Sequence, residues 1–414
     1  MSSSISSSEA IAYRPSPWRV AVCSAAAALA IAGALEGLTR WYEASTAEAL
    51  PQSAAEMYAA FPHARIFGRE IGTQTIAHNV ALFHGAKDAA SITTGYVGTS
   101  RSKVIRPTHF GIAHAANGSG NSYSEISFGL LLQAEALRHA FPNLRRVYIE
   151  SSLLLRKPGR LFAEPDHRKY LPLLKQVMPL HEGLPGDESM RQTLAAMETP
   201  KASKFDWHPR LLSLRSDLRM SNYVAPTEAT QGMDINADPM LKSLMPTGER
   251  RDLSRSLTPK ADQLPEIKAD NIKVQRLRET EQSAPWDGLY DMVARWGKAH
   301  DIEVVFYQPP VRSDLYAFQQ RNGLALHVAD MQRVAKQYGI PFIEMNRADL
   351  HFQDDWALFS DEDHLETCTG SGLLTLALED GYRQFKDKGE LLPVVDARKL
   401  ASAQQARLSQ CNSK

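Results

Sequence analysis

The chain has little of what most readily betrays a function. Three cysteines in 414 residues are too few for a disulfide framework. No His/Cys spacing matches a zinc site and no Gly-rich loop matches a phosphate cradle, so neither a metal nor an organic cofactor is expected. Neither sign of charge is in excess: 47 Lys and Arg against 47 Asp and Glu give a formal net charge of zero. No global basic field therefore points to nucleic acid, and no acidic field to cations. No internal repeat is visible, and a single long apolar run lies near the N-terminus. A hydrophobic content of 43% suffices for one large domain with insertions or for two domains.

The N-terminus is the compositional anomaly. Residues 2–8 are nearly all serine and are expected to be disordered. Arg14 and Arg19 follow, then residues 20–35 without a charge. Extended to Leu38, the segment has about 19 residues, near the lower limit for a bilayer-spanning helix. Trp18 on one side and Trp41 and Tyr42 on the other bracket it like an interfacial aromatic belt, and Glu36 is close enough to one end to snorkel. This reads as a signal anchor over residues 20–38, behind a disordered cytoplasmic stretch (1–19). A cleaved signal peptide, with Ala32-Gly33-Ala34 as its cleavage site, is one alternative, and a buried Ala-rich core helix is the other. Either targeting reading sends the remaining chain across a membrane. Cys368 and Cys411 are free to pair in an oxidising compartment or to stay as thiols.

Beyond the anchor, residues 43–92 read as a polar, alanine-rich approach segment with helices. Strands are expected at 94–97, 111–116 and 146–150, with an amphipathic helix over 125–140 between the second and third. This order is that of a parallel sheet with crossover helices. The pattern breaks from about residue 155 to 282, which reads as an insertion or cap (156–283), with a mobile portion around 247–272. It returns with a helix at 286–300, a strand at 302–307, a helix at 324–338 closed by Gly339, a strand at 340–345 and a helix at 370–378. The expected fold is α/β, a doubly wound parallel sheet formed by residues 93–155 and 284–388, with a C-terminal tail over 389–414.

Two motifs carry chemistry. Gly98-Thr99-Ser100-Arg101-Ser102 follows the first strand, and Asp361-Glu362-Asp363-His364-Leu365 follows the last. In an open parallel sheet both fall on the carboxyl rim, where functional groups collect. A serine hydroxyl needs a base, and the base needs an orienting acid. Asp361 and His364 are three residues apart, so one helical turn puts both on one face; Glu362 and Asp363 point elsewhere. Oxyanion donors are expected from the backbone N–H groups of Arg101 and of Gly118 or Gly120, with Asn121 as a side-chain donor. Arg101 suits either an anionic substrate or a surface salt bridge. Arg156, Lys157 and Arg160 read as a solvated basic face rather than a glycan contact.

Gly98-Thr99-Ser100 after the first strand, Gly120 after the second and Asp361-x-x-His364 near the C-terminal end resemble the SGNH (GDSL-type) hydrolase superfamily. The likeness is to its membrane-anchored members active in cell-envelope and exopolysaccharide acylation, and spans about residues 90–165 and 284–385. It implies a three-layer α/β/α fold, with Ser100 as nucleophile, His364 as base and Asp361 as orienter. Such members commonly work beside a multi-pass membrane-bound O-acyltransferase. Two departures stand out: Thr99 replaces the usual Asp, and Glu150-Ser151-Ser152 stands where the family's third-block Asn is expected.

The expected function is therefore a single-pass inner-membrane protein whose periplasmic or extracytoplasmic domain transfers an acyl group, usually acetyl in the family, to a cell-envelope or secreted polysaccharide. An SGNH carbohydrate esterase or deacetylase uses the same residues with water as acceptor. A non-catalytic SGNH-like subunit that binds glycan or scaffolds a secretion complex is the reading from another class.

Overall fold

A computed structural model describes residues 16–46, 53–60, 79, 82, 83, 85–120, 129–156, 171–198, 245–249, 266–276, 288–396, 399, 400 and 402. Contacts divide the chain into two units. One holds residues 1–50 and 203–220, the other residues 51–202 and 221–414.

The first unit is described through α1, Pro17–Thr46. Its stretch Pro17–Gly37 is long and apolar enough to cross a membrane, with a mean hydropathy of 1.8. The helix runs past the expected end at residue 38. Its 30 residues span about 45 Å at 1.5 Å per residue. Leu29 and Ile31 are 74% and 62% exposed, so these large apolar side chains are uncovered. Residues 1–15 lie outside the described residues.

The second unit is built on five parallel strands: β1 (Thr94–Val97), β2 (Ala115–Asn117), β3 (Arg146–Glu150), β4 (Glu303–Gln308) and β5 (Phe342–Glu344). Their order across the sheet is β2-β1-β3-β4-β5. After β1 the chain moves to one side to form β2, then passes back to place β3 on the other side. Such central strands are buried on both faces and therefore read as apolar runs, Val-Tyr-Ile in β3 and Val-Val-Phe-Tyr in β4.

Side chains alternate between faces. Val147 and Ile149 join a core with Leu130, Leu131 and Leu137 of the helix Gly129–Ala140, with Trp296 of Leu289–Ala299 and with Met331 and Val334 of Leu324–Tyr338. Tyr148, Val305 and Tyr307 join a second core with Leu374, Ala377 and Leu378 of the helix Thr369–Lys388. Gly339 ends Leu324–Tyr338 in the left-handed conformation, φ 66°, where a Cβ is unfavourable.

Strands β1 and β3 and the helix 324–338 fall where expected; the second strand is displaced to Ala115–Asn117, and the last helix is longer than expected. A short helix at Ser313–Gln320 was not anticipated.

The described part of the insertion contributes helices Leu171–Val177, Asp187–Glu198 and Ala269–Val274. Leu173, Leu174 and Val177 are buried in the first core, so the first of these helices is packed into the domain. Of the portion expected to be mobile, residues 250–265 lie outside the described residues. At one described end Asn117 donates its backbone N–H to Thr247 O at 2.7 Å and Glu249 accepts the Thr108 hydroxyl at 2.7 Å; at the other Lys268 donates its backbone N–H to Glu362 Oε1 at 2.8 Å. The basic group is revised: Arg156 is buried, donating to His327 Nδ1 at 2.9 Å and pairing with Asp330. Lys157 and Arg160 lie outside the described residues.

Candidate functional site

Ser100 sits in the turn that leaves the carboxyl end of β1, half-buried, with Ser102 N–H bonded to Thr99 O at 3.1 Å. Gly98 is required there: a Cβ at this position would collide with the Ser102 side chain and lie 2.5 Å from Glu150 Oε2. Only a residue without a side chain allows β1 to turn so tightly against the end of β3.

That neighbour is the residue sequence reasoning missed. Glu150, fully buried at the last position of β3, accepts the Thr99 N–H at 2.7 Å and the Thr99 hydroxyl at 2.8 Å. It also accepts the Ser102 hydroxyl, which in turn takes the Tyr307 hydroxyl proton at 2.5 Å. The Arg101 guanidinium lies 3.4 Å from Glu150 Oε1, 3.6 Å from Asp363 Oδ1, and donates to Ser152 Oγ. Arg101 is 3% exposed. It is therefore the buried counter-ion of two carboxylates rather than half of a surface salt bridge, one of the two readings open from sequence. A glutamate at a strand end carries no local signal for this role, since its partners are about 50 residues away.

The second motif closes over Ser100. An antiparallel bridge between Phe359 and Leu365 pinches off residues 360–364, and Ser360 N–H donates to His364 O at 2.8 Å. Glu366 then accepts the N–H groups of Cys368, at 2.9 Å, and Gly370, at 2.6 Å, so the helix Thr369–Lys388 starts at a fixed distance from the loop. Cys368 is disulfide-bonded and Cys23 is free; Cys411 lies outside the described residues.

Within that loop His364 Nε2 is 2.7 Å from Ser100 Oγ. His364 Nδ1 is 2.9 Å from Asp361 Oδ1 and 3.1 Å from Oδ2. Burial works to raise the Asp361 pKa. Hydrogen bonds from His364 and Lys268 and from the Asp363 backbone outweigh it and hold the carboxylate well below its ordinary range. An ionised carboxylate only accepts, so Nδ1 carries a proton, and in the neutral imidazole the Nε2 lone pair faces the serine. Burial also works to lower the His364 pKa, but the Asp361 hydrogen bond and the charges of Asp363 and Asp361 prevail and raise it.

The expected oxyanion donors are disposed differently. Gly118 N–H donates to Tyr96 O at 2.8 Å, Gly120 N–H to Gly98 O at 3.1 Å, and Arg101 N–H to Thr99 Oγ1 at 3.3 Å. The two glycine N–H groups hold the end of β2 against the end of β1, and the Arg101 N–H is taken up within the serine turn, so each already has a partner in this conformation. Asn121 lies outside the described residues. Between the two glycines Ser119 is buried, and its hydroxyl has no hydrogen-bond partner among the described residues. Also among the described residues, no group of three or more His, Cys, Asp or Glu side chains is arranged to hold a metal ion.

The chemistry open to this arrangement is proton abstraction from Ser100 by a tautomer-fixed imidazole. No protein family model matches the chain, and no curated protein matches it in sequence.

Proposed function

We propose that this protein is a membrane-anchored, extracytoplasmic serine O-acyltransferase of the SGNH type, acting on a cell-envelope or secreted polysaccharide. The observation that carries the reading is the continuous line from Ser100 Oγ through His364 to Asp361, with contacts of 2.7 and 2.9 Å. Its setting supports it: a parallel sheet of order 2-1-3-4-5, apolar cores on alternate strand faces as in a doubly wound three-layer fold, and the serine after β1, where the chain reverses its winding direction. The disulfide at Cys368 suits an oxidising compartment. The uncovered apolar helix Pro17–Gly37 suits a single-pass inner-membrane anchor.

In this reading His364 Nε2 takes the Ser100 proton as Oγ attacks the acyl carbonyl. The tetrahedral intermediate collapses to acyl-serine, and the donor's leaving group departs with that proton. A sugar hydroxyl then attacks the acyl-serine, giving its proton to His364. Collapse releases the ester and returns the proton to Ser100. A multi-pass membrane-bound O-acyltransferase is the partner that fits as acyl donor. With water as acceptor the same residues make an esterase.

One observation favours a second reading, an SGNH-like subunit that binds glycan without catalysis: the N–H groups of Gly118, Gly120 and Arg101 are already bonded. Intact-mass analysis of the detergent-solubilised chain after fluorophosphonate treatment separates the two. A single adduct on the wild type that is lost in Ser100→Ala supports the acyl-transfer reading. A folded wild type that takes no adduct overturns it in favour of the binding subunit.

A further inference from the structure

The charged edge of the site is shared by two stretches of chain about 90 residues apart. Lys268 donates its ammonium proton to Asp361 Oδ2 at 2.9 Å and its backbone N–H to Glu362 Oε1 at 2.8 Å. Asn271 Nδ2 donates to the same Glu362 oxygen at 2.9 Å. Gln275 Nε2 donates to Asp363 Oδ1 at 2.8 Å. Lys268 and Gln275 cap the short helix Ala269–Val274 at its two ends and Asn271 lies within it; together their side chains meet three consecutive carboxylates.

The helix is itself held from behind. Gln275 is fully buried; its Oε1 accepts from Gln319 Nε2 at 2.7 Å, and Gln319 Oε1 accepts from Asn346 Nδ2 at 2.8 Å. The three amides are oriented in the same sense, each donating to the next, and the last donates to Asp363. A chain of satisfied buried amides fixes its members. Lys268 is 62% exposed, yet its backbone is pinned to the catalytic loop.

The charged groups around His364 come from three elements. Its own loop supplies Asp361 and Asp363, with Glu362 beside them. The turn after β1 supplies Arg101, whose other carboxylate is Glu150. The insertion supplies Lys268. Arg312 stands behind the loop, its backbone N–H on Glu362 O at 3.0 Å and its guanidinium on Asp314. The carboxylates favour the imidazolium, and Arg101 and Lys268 oppose it. Asp361 Oδ1 accepts from His364 and from the Asp363 backbone N–H, while Oδ2 is divided between His364 and the lysine. A cation on that oxygen withdraws part of the field that would otherwise hold a proton on the imidazole.

We propose that Lys268 is a positioning residue that sets the basicity of His364 by sharing Asp361 with it, so that the insertion tunes the base of the site it borders. The proposal rests on the catalytic reading of Ser100, His364 and Asp361. Removing the charge leaves Asp361 to act on His364 alone. The imidazole then holds its proton to higher pH, and less free base remains at neutrality.

The test uses the full chain in detergent, as wild type, Lys268→Met, Lys268→Gln and Lys268→Arg. Two profiles against pH are read by peptide mass mapping: diethylpyrocarbonate modification of His364, which needs no enzymatic activity, and fluorophosphonate labelling of Ser100. The Met and Gln variants are expected to move both midpoints up by roughly 0.5 pH unit, the size of one exposed charge acting across a few ångströms. The Gln variant separates charge from hydrogen bonding, and the Arg variant is expected to keep the wild-type midpoints. A common His364 midpoint in all four proteins overturns the proposal. Absence of Ser100 labelling in a wild type whose His364 midpoint responds to Lys268 overturns the catalytic reading and leaves only the electrostatic coupling.

Discussion

Asp361 grips His364 at two points, with Oδ1 2.9 Å from the ring Nδ1 and 2.8 Å from the backbone N. One carboxylate oxygen thus fixes both the tautomer and the position of the imidazole relative to its own main chain. The ring need not search for Ser100, because its Nε2 already lies 2.7 Å from Oγ. On the acyl-transfer reading, much of what a pre-organised base contributes to rate is secured in this way before a substrate arrives.

The first prediction concerns pH. Burial depresses the His364 pKa, but Asp361 and Asp363 raise it further than burial lowers it. Fluorophosphonate labelling of Ser100 is expected to rise with pH through one midpoint above the ordinary 6.5, since the free base is the reactive form. Asp361→Asn removes the charge that favours the imidazolium. Its midpoint should fall, and its plateau rate should drop by roughly a hundredfold to ten-thousandfold. A variant that labels at the wild-type rate with the wild-type midpoint would remove Asp361 from the mechanism.

Glu150 carries the second. Glu150→Gln keeps the shape but leaves Arg101, 3% exposed, with Asp363 as its remaining carboxylate. Breaking a buried charge pair in this way costs on the order of 3 kcal/mol. The urea midpoint should fall accordingly. Ser100 labelling should fall with it under native conditions, because Thr99 and Ser102 lose one of the two carboxylate oxygens that shape the turn. An unchanged urea midpoint would show that Glu150 does not brace the serine turn.

A third prediction links stability to pH away from the triad. Glu344, the last residue of β5, has its pKa raised to about 7, first by burial and further by Asp349, against the pull of Arg347. The unfolded chain ionises this group near 4.5. Its contribution to stability is therefore complete below that value and is lost as pH rises through about 7. Glu344→Gln should unfold like the wild type near pH 4.5 and be more stable above pH 7, by roughly 1–3 kcal/mol. Thermal unfolding at both pH values reads the difference; an equal gain at both would rule out titration as the cause.

What could be read from sequence follows from the range of the interactions. Thr94–Val97 and Arg146–Glu150 are short apolar runs bounded by turns, and Leu324–Tyr338 ends at a glycine, so local pattern sufficed for each. Asp361 and His364 were legible because their contact spans three residues. Glu150, Asn271 and Gln275 left no such trace, because their partners lie between about 50 and 90 residues away and no periodicity records them. The expected glycine donors show the opposite case. Gly118 and Gly120 do sit beside the serine turn, but the packing that brings them there consumes their N–H groups.

The placement of the insertion has a consequence for anyone seeking a smaller version of the protein. Leu173, Leu174 and Val177 fill the main core, while Lys268, Asn271 and Gln275 hold the acidic loop. Splicing out residues 156–283 would remove ballast from the interior and scaffolding from the site in one cut. A workable shortened chain therefore has to keep residues 171–177 and 268–275, together with β1 ahead of the serine turn.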